Sequence, residues 1–199
     1  MKHAVIFAHP NPSSFTASMA ASYARAARAL GEEVVVRDLY EMDFDPRLAR
    51  EEVPGPGAPT FRPDVVAERN TLKDVGVFAL FYPLWFNTPP AMMKGYIERV
   101  FGMGFGYGPG NVPLLSDRKL ISFTSSGAPL YWVEHTGAWE ALKRLFDHHL
   151  AAVFGFEPLD HVHFGEITPG IREDAVEECA RQVADTVRQH FGGATVADA

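Results

Sequence analysis

The sequence predicts an α/β fold in three layers, with a five-stranded parallel sheet of strand order 2-1-3-4-5 between two layers of helices. Three observations predict it. Short continuous apolar runs, as in strands covered on both faces, alternate with helix-like stretches along the 199 residues. Residues 1–37 make a complete strand–helix–strand unit, whose crossover is right-handed in parallel sheets. The loops after the first, third and fourth strands are the least ordinary stretches of the chain. That fits a sheet whose order reverses between strands one and three, since ligands bind there, outside the carboxyl ends of the strands.

The elements follow in order. Residues 3–8, HAVIFA, form the first strand, and 9–15, HPNPSSF, its exit loop. The helix over 16–30 is rich in alanine and can pack close to a sheet, and Gly31 suits its left-handed end. EVVVR at 33–37 is the second strand. Residues 53–63 carry four prolines and two glycines and read as a surface excursion within one domain spanning 1–199. A helix is expected over 64–73, with Val65, Val66, Arg69 and Leu72 spaced for one face. The third strand, 74–82, ends in the run FALFY, and Pro83 stops it. A loop stiffened by Pro89 and Pro90 leads to a helix over 91–101. Residues 102–113, GMGFGYGPGNVP, follow a helix and lack the G-x-G-x-x-G spacing, so they are no dinucleotide fingerprint. RKLISFT at 118–124 is the fourth strand and SSGAP its exit loop; residues 131–137 lead into a helix over 138–153. FEPLDHVHF at 156–164 is a more polar fifth strand near an edge. A long helix covers 171–191, and 192–199 reads as a loose tail.

The bulk properties narrow the function. Hydrophobic residues make up 47% and charged residues 22%, a globular composition with a sizeable core. A net charge of −7 without a basic cluster argues against a nucleic-acid partner. No apolar run approaches the roughly 20 residues of a membrane helix, so the chain is not expected to be membrane-embedded. One cysteine, Cys179, excludes an internal disulfide and fits a cytoplasmic setting. Cys179 lies on an apolar helix stripe and reads as a buried structural thiol.

The chemistry lies in the three loops. The first precedes a helix, so its backbone amides and the helix dipole favour an anion. Ser13, Ser14 and Thr16 add hydroxyls and His9 a further donor; Ser14 or Thr16 serves equally as a helix cap. The third-strand loop places Trp85 and Phe86 beside Asn87 on a stiff backbone. That suits a planar ligand with one polar edge, and it also suits core or dimer packing. The fourth-strand loop, Thr124-Ser125-Ser126-Gly127, allows close backbone approach at Gly127. It is no G-x-S-x-G elbow, so a hydrolase nucleophile is missing. Tyr131 and His135 follow and could stabilise negative charge and pass a proton. His161 and His163 share one face of the fifth strand. They read as a solvent-facing pair, and with no third ligand in view no metal site is expected.

Together these residues resemble the NAD(P)H:quinone oxidoreductase family, which includes DT-diaphorase, the modulator-of-drug-activity reductases and the ancillary flavoproteins of potassium-efflux systems. Four motifs carry the resemblance over nearly the whole chain. They are A-H-x-x-x-x-S-F at Ala8 to Phe15, D-L-Y at Asp38 to Tyr40, the P-L…W…P-A-x-M-K-G-Y-x-E-R-V-F run from Pro83 to Phe101, and the T-S-S-G loop. The resemblance implies a flavodoxin-like homodimer in which NADH or NADPH reduces a bound flavin, and a quinone or other flat acceptor is then reduced in the same slot. FAD is the expected flavin and FMN the alternative. His9, Ser14, Phe15, Thr16 and Ala17 match the ribityl and phosphate part, and Pro83, Leu84, Trp85, Phe86 and Asn87 the ring. Thr124, Ser125, Ser126, Gly127 and Tyr131 match the second flavin loop. Tyr131 and His135 match the family's catalytic pair, with Phe86 and Tyr107 on the substrate side. The family's tryptophan falls on Phe86, with the indole one residue earlier, which leaves open which ring faces the substrate. Two other roles compete: a regulatory flavoprotein subunit of a membrane transporter, and an electron carrier of the flavodoxin kind.

Overall fold

In the computed structural model, which describes residues 1–193 except Pro56, five strands form one parallel sheet in the order β2-β1-β3-β4-β5. They are β1 (Lys2–Phe7), β2 (Glu33–Asp38), β3 (Val77–Pro83), β4 (Lys119–Ser125) and β5 (Glu157–Phe164). The helices are α1 (Phe15–Ala29), α2 (Pro63–Leu72), α3 (Ala91–Val100), α4 (Leu130–His135), α5 (Ala138–Leu142), α6 (His149–Phe154) and α7 (Glu173–Phe191). The strand order and parallel pairing are those expected from the sequence, and β5 lies at an edge. Part of the loose tail expected over 192–199 lies outside the described residues, at 194–199.

Every residue of β3 is buried, as its unbroken apolar run requires of a central strand covered on both faces. One face packs on α1 and α7 through Val5, Phe7, Ala79, Phe81 and Phe123. Phe81 and Phe123 stack with centroids 4.6 Å apart, and Tyr23 meets both edge-on. The other face carries Ile6, Phe78 and Leu80 against α3 and α6.

Two segments differ from the sequence reading. The stretch 131–137, which reads in sequence as a lead-in, holds all of helix α4 but its first residue, Leu130. The helix expected over 138–153 is broken into α5, a π-helical turn over Lys143–His148, and α6. A π turn inserts a residue and re-aims its neighbours. Here Phe146 and Asp147 are both buried.

The excursion between β2 and α2 is held by Arg99 of α3. Its side chain is fully buried, and all five N–H donors are used. Nε and Nη2 donate to Glu52 at 2.8 and 2.7 Å, Nη1 and Nη2 to Asp64 at 2.7 and 3.1 Å, and Nη1 to the Asp45 carbonyl at 2.6 Å. Gly95, one turn earlier, lets the excursion lie directly on α3. A Cβ there would stand 2.1 Å from the Pro46 carbonyl oxygen. Burial pushes the Glu52 carboxyl up, but Arg99 and the Ala49 and Arg62 amides outweigh this and hold it below the ordinary range.

Arg99→Ala should destabilise the fold by about 3–5 kcal/mol, because Glu52 is left buried without its counter-ion. Urea unfolding of both chains measures the difference. The depressed Glu52 carboxyl adds stability that is present above its unfolded value and is lost as pH falls through the folded one. Acid unfolding of the Arg99 variant should therefore show a weaker loss of stability at low pH.

Candidate functional site

The carboxyl ends of β1, β3, β4 and β5 open onto one crevice of about 460 Å³. Its first wall is the loop from β1 into α1. Ser14 caps α1, its Oγ accepting from the Ala17 amide at 3.1 Å. His9 Nδ1 accepts from the Asn11 amide at 3.0 Å and Asn11 Oδ1 from the Ser13 amide at 2.9 Å, which folds the loop on itself. Among the described residues the Phe15 and Thr16 amides have no partner, so the start of α1 presents free donors at the crevice.

The second wall is Pro83, Leu84 and Trp85. The Leu84 amide donates to the Ser125 carbonyl at 2.7 Å, which ties this wall to the β4 loop. Trp85 and Thr88 exchange backbone hydrogen bonds of 3.1 and 3.2 Å across a two-residue turn. Phe86 and Asn87 at its tip have φ of 54° and 59°, the positive pair of a type I′ turn. This geometry separates the two aromatics. Trp85 stays on the crevice, with its ring centroid 5.8 Å from that of His9. Phe86 projects fully into solvent and lines a neighbouring groove with Lys94, Leu142, Leu145 and Phe146.

The third wall is Ser125, Ser126 and Gly127. A fourth was not anticipated: Ile167, Thr168, Pro169, Gly170 and Ile171, between β5 and α7. The rule that ligands sit at the carboxyl ends of parallel strands applies to β5 as well, and the Gly165 and Pro169-Gly170 breaks were its visible signal.

The remaining residues singled out in the sequence lie elsewhere in the single chain. Ala17 lies in the first turn of α1, its amide bonded to the Ser14 cap. Tyr131 and His135 are exposed on α4, and Tyr107 is half-buried on the far side, against Phe101 and Phe154. The Thr124 side chain is buried and reaches His161 Nε2 at 2.9 Å and His163 Nδ1 at 2.8 Å. This corrects the solvent-facing reading of the histidine pair. His161 and His163 point inward, and all four ring nitrogens are hydrogen-bonded. A register irregularity between β4 and β5 at Leu120/Ile121 sets His161 beside Ser122 and His163 beside Thr124. Burial, with a smaller contribution from His161, lowers the His163 pKa to about 4. Cys179, expected to be buried, is half-buried beside the α1–α7 core, where burial pushes its thiol up.

A family model described as flavodoxin-like fold matches residues 1–187. The chain belongs to the flavodoxin-like fold family. Within that family it is 32% identical over 171 residues to an uncharacterized NAD(P)H oxidoreductase from Haemophilus influenzae, covering 84% of this chain and 85% of that protein. It is 30% identical to NAD(P)H dehydrogenase [quinone] 1 of Cavia porcellus over 62% of this chain and 53% of that enzyme, about half its length. Among solved structures, an NAD(P)H:quinone oxidoreductase from Methanothermobacter marburgensis superposes with a TM-score of 0.84 at 24% identity, covering 96% of each chain. An FMN-dependent NADH-azoreductase from Bacillus anthracis, in complex with FMN, gives 0.72 at 16% identity, covering 96% of this chain and 99% of that one. No helix among the described residues is long and apolar enough to cross a membrane.

The buried imidazoles of this flavodoxin-like chain have a measurable cost in acid. His163 and His3 both have pKa values lowered to about 4 from an ordinary 6.5, His3 by burial that outweighs the pull of Glu32. Between those values the unfolded chain binds protons that the folded chain does not, so stability falls as pH drops from 6.5. Each group contributes a slope of at most about 1.4 kcal/mol per pH unit. The loss of unfolding free energy between about pH 7 and about pH 5 should be smaller in His163→Gln than in the parent.

Proposed function

We propose that this protein is a flavin-dependent NAD(P)H:quinone oxidoreductase, a single 1–199 domain working as a cytoplasmic homodimer. One observation carries the reading. The crevice joins an anion end, the free amides at the start of α1, to an apolar wall of Pro83, Leu84 and Trp85 and a polar edge of Ser125 and Ser126. A flavin has those three parts in that order: a phosphate, a flat apolar ring, and an edge of hydrogen-bonding atoms. The residues therefore fit the group. When bound, the flavin supplies the acceptor for a hydride from NADH or NADPH and its donor to the quinone.

The chain supplies the rest. Ser13, Ser14 and the Phe15 and Thr16 amides would hold the phosphate. Trp85 would lie along the ring, on the loop pinned by the Leu84–Ser125 bond. Ser125, Ser126 and Gly127 would serve the polar edge. Tyr131 and His135 are the groups we assign to charge stabilisation and proton transfer above the ring. Phe86 and Tyr107 belong to the substrate side. Exposed Phe86 and Leu145 flank an open groove of about 500 Å³, an apolar surface of the kind that a second copy covers. Tyr107 would then reach the slot from the partner. FAD is our assignment, and the FMN bound by the Bacillus azoreductase supports the alternative.

Purified protein should carry or take up a yellow cofactor whose released mass decides between FAD and FMN, and should reduce quinones with NADH or NADPH. A protein that binds neither flavin overturns the reading. Trp85→Ala should weaken flavin binding about tenfold, or about 1.4 kcal/mol, measured by fluorescence quenching. Tyr131→Phe combined with His135→Gln should slow reduction of the flavin in stopped flow. An unchanged rate removes those two from catalysis.

A further inference from the structure

A stripe of polar side chains crosses the sheet beneath α5 and the π turn, beside the crevice. Its contacts run without a gap. Asp147 Oδ2 meets His161 Nδ1, and His161 Nε2 meets Thr124 Oγ1 at 2.9 Å. Thr124 Oγ1 meets His163 Nδ1 at 2.8 Å, and His163 Nε2 meets Ser126 Oγ at 3.0 Å. Ser126 lines the crevice. The other Asp147 oxygen accepts from Ser122 Oγ at 2.8 Å. The groups facing the imidazoles are Asp147 from the π turn, the hydroxyls of β4, and the Trp139 ring of α5, 4.6 and 5.4 Å away. Asp160, the next residue on β5, accepts from the His161 amide and has His190 of α7 at 3.6 Å.

Proton counting along this chain gives two complete states. In one, Ser126 donates to the Ala128 carbonyl, at 3.0 Å, and accepts from His163 Nε2–H. His163 Nδ1 then accepts from Thr124, Thr124 accepts from His161 Nε2–H, and His161 carries two protons against the Asp147 carboxylate. In the other, the three links between Ser126 and His161 reverse. Ser126 donates to His163 Nε2, His163 Nδ1–H donates to Thr124, Thr124 donates to His161 Nε2, and His161 keeps only Nδ1–H. The Ala128 carbonyl still accepts from the Glu166 amide at 3.1 Å. The contacts from Asp147 to Ser126 persist in both states, the second gives up only the Ser126–Ala128 bond, and the two differ by one proton.

We propose that Asp147, His161, Thr124, His163 and Ser126 form a relay that stores one proton and delivers it to the crevice. On delivery the Ser126 hydroxyl proton leaves. Ser126 then takes the His163 Nε2 proton, His163 Nδ1 the Thr124 proton, and Thr124 the His161 Nε2 proton. Refilling from water runs the same shifts backwards. What the proton is used for rests on the function proposed above. NAD(P)H is oxidised by two electrons, the quinone takes a hydride and one further proton, and the relay supplies that proton to the crevice, where Tyr131 and His135 pass it on. The π turn fits this role, since it brings Asp147 inward to the end of the chain. Ser126 is the group that meets the crevice, and the other four act through it.

Nitrogen-15 NMR of the histidine side chains in ligand-free protein tests this across a pH titration. In the relay, His161 gains its second proton in the same step in which His163 changes from Nδ1–H to Nε2–H. Thr124→Val should separate the two events. Asp147→Asn, the second variant should the first fail to fold, should hold His163 in one tautomer. Independent titration of the imidazoles in the parent, or one His163 tautomer throughout, overturns the relay. A parallel measurement on flavin-loaded protein, first reduced with NADH, follows proton uptake with an indicator dye as a quinone reoxidises it, and uptake should lag in Asp147→Asn. A coupled switch in a protein that binds no flavin overturns the oxidoreductase reading and keeps the relay. Flavin reduction with uncoupled imidazoles does the reverse.

Discussion

Arg99 spends every donor it has inside the protein. A buried guanidinium costs several kcal/mol unless each charge and donor is answered, and here two carboxylates and a carbonyl answer it. The partners come from three points along the 45–64 stretch, so the bond network gives a proline- and glycine-rich segment a single path. It also fixes α3, which carries Arg99, against that path. Because α3 begins directly after Pro90, its position fixes the far end of the loop that carries Trp85. The aromatic wall of the crevice thus depends on an interaction on the opposite side of α3.

The two faces of the sheet do different work. The α1–α7 face is apolar through its centre, and His3 with Tyr23 forms a small polar inclusion at its edge, with 2.9 Å between Nδ1 and the hydroxyl. The α5–α6 face carries a row of Tyr82, Ser122, Thr124, His161 and His163, aligned by the parallel register of β3, β4 and β5. Polar groups under a helix layer weaken a core unless they satisfy one another, and this row nearly does; among the described residues the Tyr82 hydroxyl finds no partner.

Strand order, the central place of β3 and three of the four crevice walls were legible in the sequence, because apolar runs, helix periodicity and loop chemistry are local signals. What escaped it depended on register. Alternation shows that His161 and His163 share a face, but only the irregularity beside Leu120 and Ile121 decides which face. Asp147 looks like one more helical acid until the π turn rotates it inward. Trp85 and Phe86 are adjacent and both bulky, and their different fates follow from the positive φ of Phe86 and Asn87, a conformation that Phe seldom adopts. The Ile167–Ile171 wall was missed through an unapplied rule, since the sequence had marked it with glycine and proline.

The Trp85–Thr88 turn has a consequence for recognition. A bulky residue held at positive φ stores local strain of order 1–3 kcal/mol, which persists only where the surroundings over-determine it. Here paired backbone bonds and three prolines do so. The loop's freedom is therefore surrendered when the chain folds, before any ligand arrives. An arriving flat molecule meets a finished surface and need not freeze one, so little of its contact energy is lost to ordering the protein. Such a wall can hold its guest firmly through modest contacts, and can accept a succession of differently substituted planar molecules without reshaping itself for each.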